Sequence, residues 1–213
     1  MRNRLFFSLA IIICSVFGCR DDAPAPTVKQ YYSQVAHQLY TVVDVDKAQQ
    51  LLTEGNEKFS ADKFWQKWSE RLQRDIAVIG KAAPPALELS WLANKSEIDT
   101  QTGTLVIIFW ELWCPHCKRE VPVLDALYQE YHPKGLQMIG LTRMSRSISS
   151  SDIKSFVTEE KVTYPIAKTG SATGQYFSVR GIPDAVVVHN GTVVWKGNPK
   201  ALPTAKIALW VGE

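Results

Sequence analysis

The sequence predicts an α/β sandwich with a mixed β-sheet, preceded by a helical extension. Two observations carry that reading. Up to about residue 80 the apolar residues recur at helical spacing; beyond it they switch to short strand-like runs. Those runs then order as strand, helix, strand, followed by a hairpin turn at Asn190-Gly191 and a final helical stretch. The 213 residues, 46% hydrophobic, suffice for one well-buried domain with a small appendage.

Residues 1–18 read as a signal peptide of the lipoprotein type. Arg2 and Arg4 precede a mostly apolar run over 5–17, shorter than the roughly 20 residues that span a bilayer. Val16-Phe17-Gly18-Cys19 resembles a bacterial lipidation signal and makes Cys19 the candidate lipid anchor, although Phe17 stands where a small residue is usual. An uncleaved anchor and ordinary signal cleavage are the alternatives. All three export the remainder, which implies a periplasm-facing place in the cell envelope. Residues 1–18 carry two arginines and no acids, so their removal takes the net charge from +3 to +1. A near-neutral chain offers no electrostatic reason to expect nucleic acid as a partner.

After a linker over 19–26, residues 27–81 read as helical. Val28, Tyr31, Tyr32, Val35 and Leu39 share one face, and Phe64, Trp65, Trp68, Leu72, Ile76 and Ile79 repeat the pattern. Gly55-Asn56 reads as a break, and Ser60 or Asp62 as the cap of the second long helix. The two stripes would dock on the following domain, form a dimer, or hold it off the membrane; docking is preferred because amphipathic faces usually bury locally. Ala82-Ala83-Pro84-Pro85 marks a boundary, placing the second domain at 82–213. Within it, 87–91 alternates as a strand, and 105–110 is a continuous apolar run suited to a strand covered on both faces. Helix over 114–131, strand over 136–142 and helix over 152–160 follow. A short strand (164–167), a short helix (171–177), the hairpin strands (185–189 and 192–196) and a helix over 201–210 complete the chain.

Cys14 lies in the apolar leader and Cys19 is the lipid candidate, which leaves Cys114 and Cys117 with each other. A structural zinc site usually needs four ligands, and no second pair exists, so no metal or cofactor is expected. A Cys-x-x-Cys at a strand–helix junction is a redox signal. Disulfide exchange needs a thiolate, and Cys114 would open a helix whose unpaired N–H groups favour an anion. Pro115 suits the first turn, where its missing N–H goes unused. His116 is a candidate donor to the thiolate, and Cys117, one turn on, can resolve the mixed disulfide.

The stretch from Phe109 to Pro122, with Trp113-Cys114-Pro115-His116-Cys117 followed by Glu120-Val121-Pro122, resembles the TlpA/ResA-like branch of the thioredoxin-fold proteins. The resemblance covers about 82–210 and implies a thioredoxin-like three-layer sandwich acting as a protein disulfide oxidoreductase. It implies that Pro183, in Arg180-Gly181-Ile182-Pro183, is a cis-proline facing the cysteines, and that Glu120 is the branch's acid. The 66-residue distance of Pro183 from Cys117 suits this branch better than DsbA. Many thioredoxin-fold enzymes hold a buried acid six residues before the first cysteine; Ile108 stands there, which leaves Glu120, and secondarily Glu111, to tune the pair. The Pro115-His116 dipeptide instead matches strongly oxidising DsbA-type proteins.

Trp113, Pro115, His116 and Ile182 are the candidate client-binding residues, with Trp110 assigned to the core, and the backbone of Ile182 could pair with an added client strand. The polar loop 143–151 is a candidate specificity element. The resemblance implies a protein thiol or disulfide client, a membrane partner that recycles the pair, and reduction as the preferred direction. The alternatives are a disulfide donor and a Cu(I) chaperone using the same soft sulfurs. A peroxidase of the peroxiredoxin kind would want Thr or Ser where Glu111 stands.

Overall fold

The computed structural model describes residues 25–212. The leader, Cys19 and the linker to residue 24 lie outside the described residues. The architecture is organised around β2 (Thr104–Phe109), whose every residue is buried. It pairs in parallel with β3 (Leu136–Thr142) and antiparallel with β5 (Asp184–His189). With β1 (Ser90–Ala93), β4 (Ile166–Lys168) and β6 (Thr192–Gly197) this makes a six-stranded mixed sheet in the order β1-β4-β3-β2-β5-β6. Both faces are covered, as the continuous apolar run of β2 requires. Val106, Ile108 and Met138 pack on one face with Val121 and Leu124 of α4 (Pro115–Tyr131), Phe156 of α5 (Ser150–Glu159) and Ile207 of α7 (Thr204–Trp210). Ile107, Phe109, Leu141 and Val186 pack on the other with Phe177, which follows α6 (Ser171–Tyr176). Asp125 ties α4 to the approach of β4 by accepting from the Thr163 N–H at 2.6 Å and the Tyr164 N–H at 3.3 Å.

Three expectations shift. The strand expected over 87–91 is found as β1 at 90–93, where Ser90, Trp91 and Ala93 pair antiparallel with Lys168, Ala167 and Ile166 of β4. Leu87 and Leu89 instead pack, partly buried, onto the sheet. The helix expected over 201–210 divides into a 3-10 turn (Pro199–Ala201) and α7, since Pro203 lacks the N–H that a continuous helix needs. Gly55-Asn56 is no break: both lie inside α2 (Val45–Lys58). A Cβ on Gly55 would stand 2.1 Å from Trp65 Cζ2, so the glycine makes room for an indole rather than for a turn. The chain turns at 59–62 instead, and Asp62 caps α3 (Lys63–Ile76) by accepting from the Trp65 N–H.

The prefix docks on the sheet. Its helices α1 (Val28–His37), α2 and α3 bury Val35, Leu39, Leu52, Trp65 and Leu72 among themselves. The π-helical turn after α1 (Gln38–Val42) carries Tyr40 to β6, where the Trp195 indole N–H donates to the Tyr40 carbonyl at 3.0 Å. Gly197 permits that approach, because a Cβ there would fall 2.9 Å from the Tyr40 ring. The chain beyond α3 then runs along the outer edge of β6: Gly80 N–H donates to Val193 (2.8 Å), and Val193 N–H to Lys81 (2.9 Å). The start of an otherwise open sheet edge is thereby paired. Among the described residues no helix is long and apolar enough to cross a membrane.

Candidate active site

β2 ends at Phe109, and a five-residue turn delivers Cys114 to the N-cap of α4. Its sulfur accepts from the Cys117 N–H at 3.5 Å, and Pro115 occupies the first helical turn as expected. Both cysteines are free thiols. They are not equivalent. Cys114, 5% exposed, lines a cleft of about 570 Å³, whereas Cys117 is wholly buried. Burial, followed by its contact with Cys114, pushes the Cys117 thiol up to about 12; a backbone hydrogen bond from Glu111 pulls the other way.

The Ile182–Pro183 peptide is cis, and the Cys114 thiol faces the Ile182 carbonyl at 3.9 Å. Pro183 itself is buried, while Ile182 stays partly open beside the cleft. Val179, Gly181, Trp113 and Arg143 line the same cleft.

Glu111 lies 4% exposed in the turn before Cys114. Its carboxylate accepts from the Arg143 N–H at 3.1 Å, the Ser145 N–H at 3.1 Å and the Thr142 hydroxyl at 3.2 Å. Polar groups without net charge thus surround this buried side chain. The loop it gathers reaches back over the site. The Trp113 indole N–H donates to Ser145 Oγ at 2.9 Å, and the Arg146 guanidinium stacks 3.7 Å above the Trp113 ring. Met144, Arg146 and Ser147 all have positive φ, so the loop is held in a specific, unfavoured path.

The remaining candidates distribute unevenly. Glu120 is buried on α4 and pairs with Lys200 at 3.2 Å rather than standing solvated. His116 is exposed, and its Nδ1 takes an N–H from Arg119 at 2.8 Å rather than serving Cys114. Trp113 is partly buried at the rim and Trp110 is core, as their positions suggested. Arg146 is the functional candidate that sequence reasoning did not single out; only its place in a polar loop after a central strand pointed there. Among the described residues no group of three or more His, Cys, Asp or Glu is placed to hold a metal ion.

Comparison with known proteins agrees with this geometry. The AhpC/TSA family profile matches residues 79–196. The thiol-disulfide oxidoreductase ResA of Bacillus cereus is 32% identical over 122 residues, covering 55% of this chain and 68% of that protein. ResA of Bacillus thuringiensis is 32% identical over 90 residues, 42% of this chain, and there the chain spans half the relative's length. The thioredoxin domain of a thiol-disulfide oxidoreductase from Bacteroides vulgatus superposes with a TM-score of 0.52 at 20% identity, over 62% of this chain and 97% of that one. A thiol:disulfide interchange protein from Bacteroides sp. gives 0.50 at 20% identity, over 63% and 91%. At such identities the likeness speaks for the fold, which is thioredoxin-like.

Proposed function

The chain belongs to the AhpC/TSA family, and on that premise we propose that it is an exported, lipid-anchored thiol–disulfide oxidoreductase that reduces a protein client. The observation that carries the reading is the asymmetry of the pair: one sulfur at a helix N-cap on an open cleft, the other sealed behind it. Cys114, as thiolate, attacks one sulfur of the client disulfide. The client's other sulfur leaves and takes up a proton, and a mixed disulfide with Cys114 remains. Cys117 then loses its proton and attacks the Cys114 sulfur, releasing the second client thiol and leaving the Cys114–Cys117 disulfide. A membrane reductant returns two electrons and two protons to close the cycle.

The second step needs a proton acceptor, because a thiol pushed up to about 12 does not ionise unaided near neutrality. Glu111 fills that role in this reading. It is buried beside Cys117, and its charge adds to what holds the proton on that sulfur. Glu120, bound to Lys200, becomes a helix-packing residue.

Reduction is favoured over disulfide donation by the placement of His116. In the strongly oxidising DsbA type, stabilisation of the reduced form sets the potential. Here the imidazole between the cysteines is turned to Arg119. Export and anchoring rest on Arg2, Arg4 and the apolar run ending at Cys19. The client segment would lie in the cleft, adding its backbone to Ile182 and meeting Trp113. The test is the reduction potential of the pair, measured against glutathione and dithiothreitol on the chain lacking its leader. A value near the thioredoxin end, about −270 mV or lower, supports a reductase; a value near the DsbA end, about −120 mV, makes it a disulfide donor.

A further inference from the structure

Asp184, the residue after cis Pro183, opens β5 with its side chain buried and ion-paired to Lys196 of β6. Lys196 is only 1% exposed, and its ammonium also lies 3.3 Å from Asp75 of α3. Asp75 in turn accepts from the Tyr40 hydroxyl at 2.7 Å and stands 3.7 Å from Arg71 Nε. One buried ammonium therefore bridges two buried carboxylates, one from the sheet and one from the prefix.

Such an arrangement is a poor adhesive. Withdrawing three charges from water costs more than packing apolar side chains into the same space would, and buried charge serves geometry better than it serves stability. The same interface already has an apolar solution alongside, in Tyr40 against Trp195. What the charged bridge adds is a fixed place for Asp184, two residues after the carbonyl that faces the Cys114 thiol at 3.9 Å. Tyr40, Arg71 and Asp75 all precede the family-matched region, which begins at residue 79.

We propose that the helical prefix is a positioning element of the redox site: Asp75, acting through Lys196 and Asp184, sets the proline loop against Cys114. Asp75 and Tyr40 are positioning residues in this role, since neither touches the sulfurs. The same cluster responds to acid, because burial pushes the Asp184 carboxyl up to about 6 against the opposing pull of Lys196. The consequence for turnover rests on the oxidoreductase reading; the consequence for the loop does not.

The experiment compares the full chain with Asp75→Asn. It reads backbone amide exchange over 180–185 and the rates at which reduced Cys114 reacts with a cystine-bridged peptide and with iodoacetamide. The expected result is about tenfold faster exchange confined to the loop, about tenfold slower reaction with the peptide, and an iodoacetamide rate within about twofold of the parent. Unchanged loop exchange with a lowered melting temperature overturns the proposal, because the bridge would then be structural only. If Asp75→Asn does not fold, Tyr40→Phe decides: a smaller change confined to the same loop supports the proposal, and none, or one spread over the whole chain, overturns it. A parent protein whose Cys114 ignores the peptide disulfide defeats the oxidoreductase reading, while loop exchange still decides this one.

Discussion

Two buried polar centres lie on either side of the proline loop, and they solve the same problem in opposite ways. At the cysteine end, the Glu111 carboxylate is surrounded by two backbone N–H groups and a hydroxyl, with no cation among the hydrogen bonds described. At the prefix end, the Lys196 ammonium is held by two carboxylates. Neutral donors hold the Glu111 carboxylate in place without pairing it to a fixed cation. Full counter-charges tie their partners together, since removing one of them strands a charge in a low-dielectric interior. In the proposed scheme the proton transfer falls to the neutral cage, and the alignment of the proline loop to the charged one.

That contrast breaks most visibly at Lys196. Lys196→Ala removes the ammonium between Asp75 and Asp184 and leaves only the more distant Arg71 to offset them, and a loss of about 3–5 kcal/mol in chemical unfolding is expected. The sign of the pH effect sharpens the point. Asp184 is raised above its ordinary value, so its contribution to stability is present below about 4 and declines as the pH rises through about 6. In the parent, urea titrations should show that decline between those limits, and an Asp184→Asn variant should flatten it.

At the other centre the expected damage is kinetic. Glu111→Gln keeps the shape but cannot accept a proton. Resolution of the mixed disulfide should slow by on the order of a hundredfold, seen in single-turnover mass spectrometry as an accumulating client adduct on Cys114. The melting temperature should move less than it does for Lys196→Ala. A Glu111→Gln protein that resolves at the parent rate would return the acid role to Glu120 or to solvent. The smallest effect belongs to Arg146→Ala, which removes the cation over Trp113. A loss of about 0.5–1 kcal/mol in client engagement is expected, visible in KM for a protein disulfide and absent with iodoacetamide.

Local signals in the sequence were legible and long-range ones were not. The apolar run 105–109 in β2, the Asn190-Gly191 hairpin and the Cys-Pro-His-Cys opening of α4 each state their structure within a few residues. Pro183 could be placed by the resemblance. Gly55 misled because a helix-breaking residue and a residue that admits an indole look identical until Trp65, ten positions away, is seen against it. The resemblance put Glu120 ahead of Glu111, and spacing gave no reason to reverse that order, since their difference lies in what surrounds them: the 142–145 loop for one and Lys200 for the other. Lys196 gave only the hint of a charge in an apolar strand. Its partners, Asp75 and Asp184, stand 121 and 12 positions away.

The division of labour between the two sulfurs can be read by alkylating the reduced protein with iodoacetamide across a pH series and mapping the adducts by peptide mass spectrometry. At neutral pH the adduct should form on Cys114 alone, with Cys117 unmodified until the pH approaches about 12 or the fold is lost. Equal modification of both cysteines near neutrality, or modification of Cys117 first, would mean that the buried thiol is not the held-back partner and that the proposed order of attack and resolution is wrong.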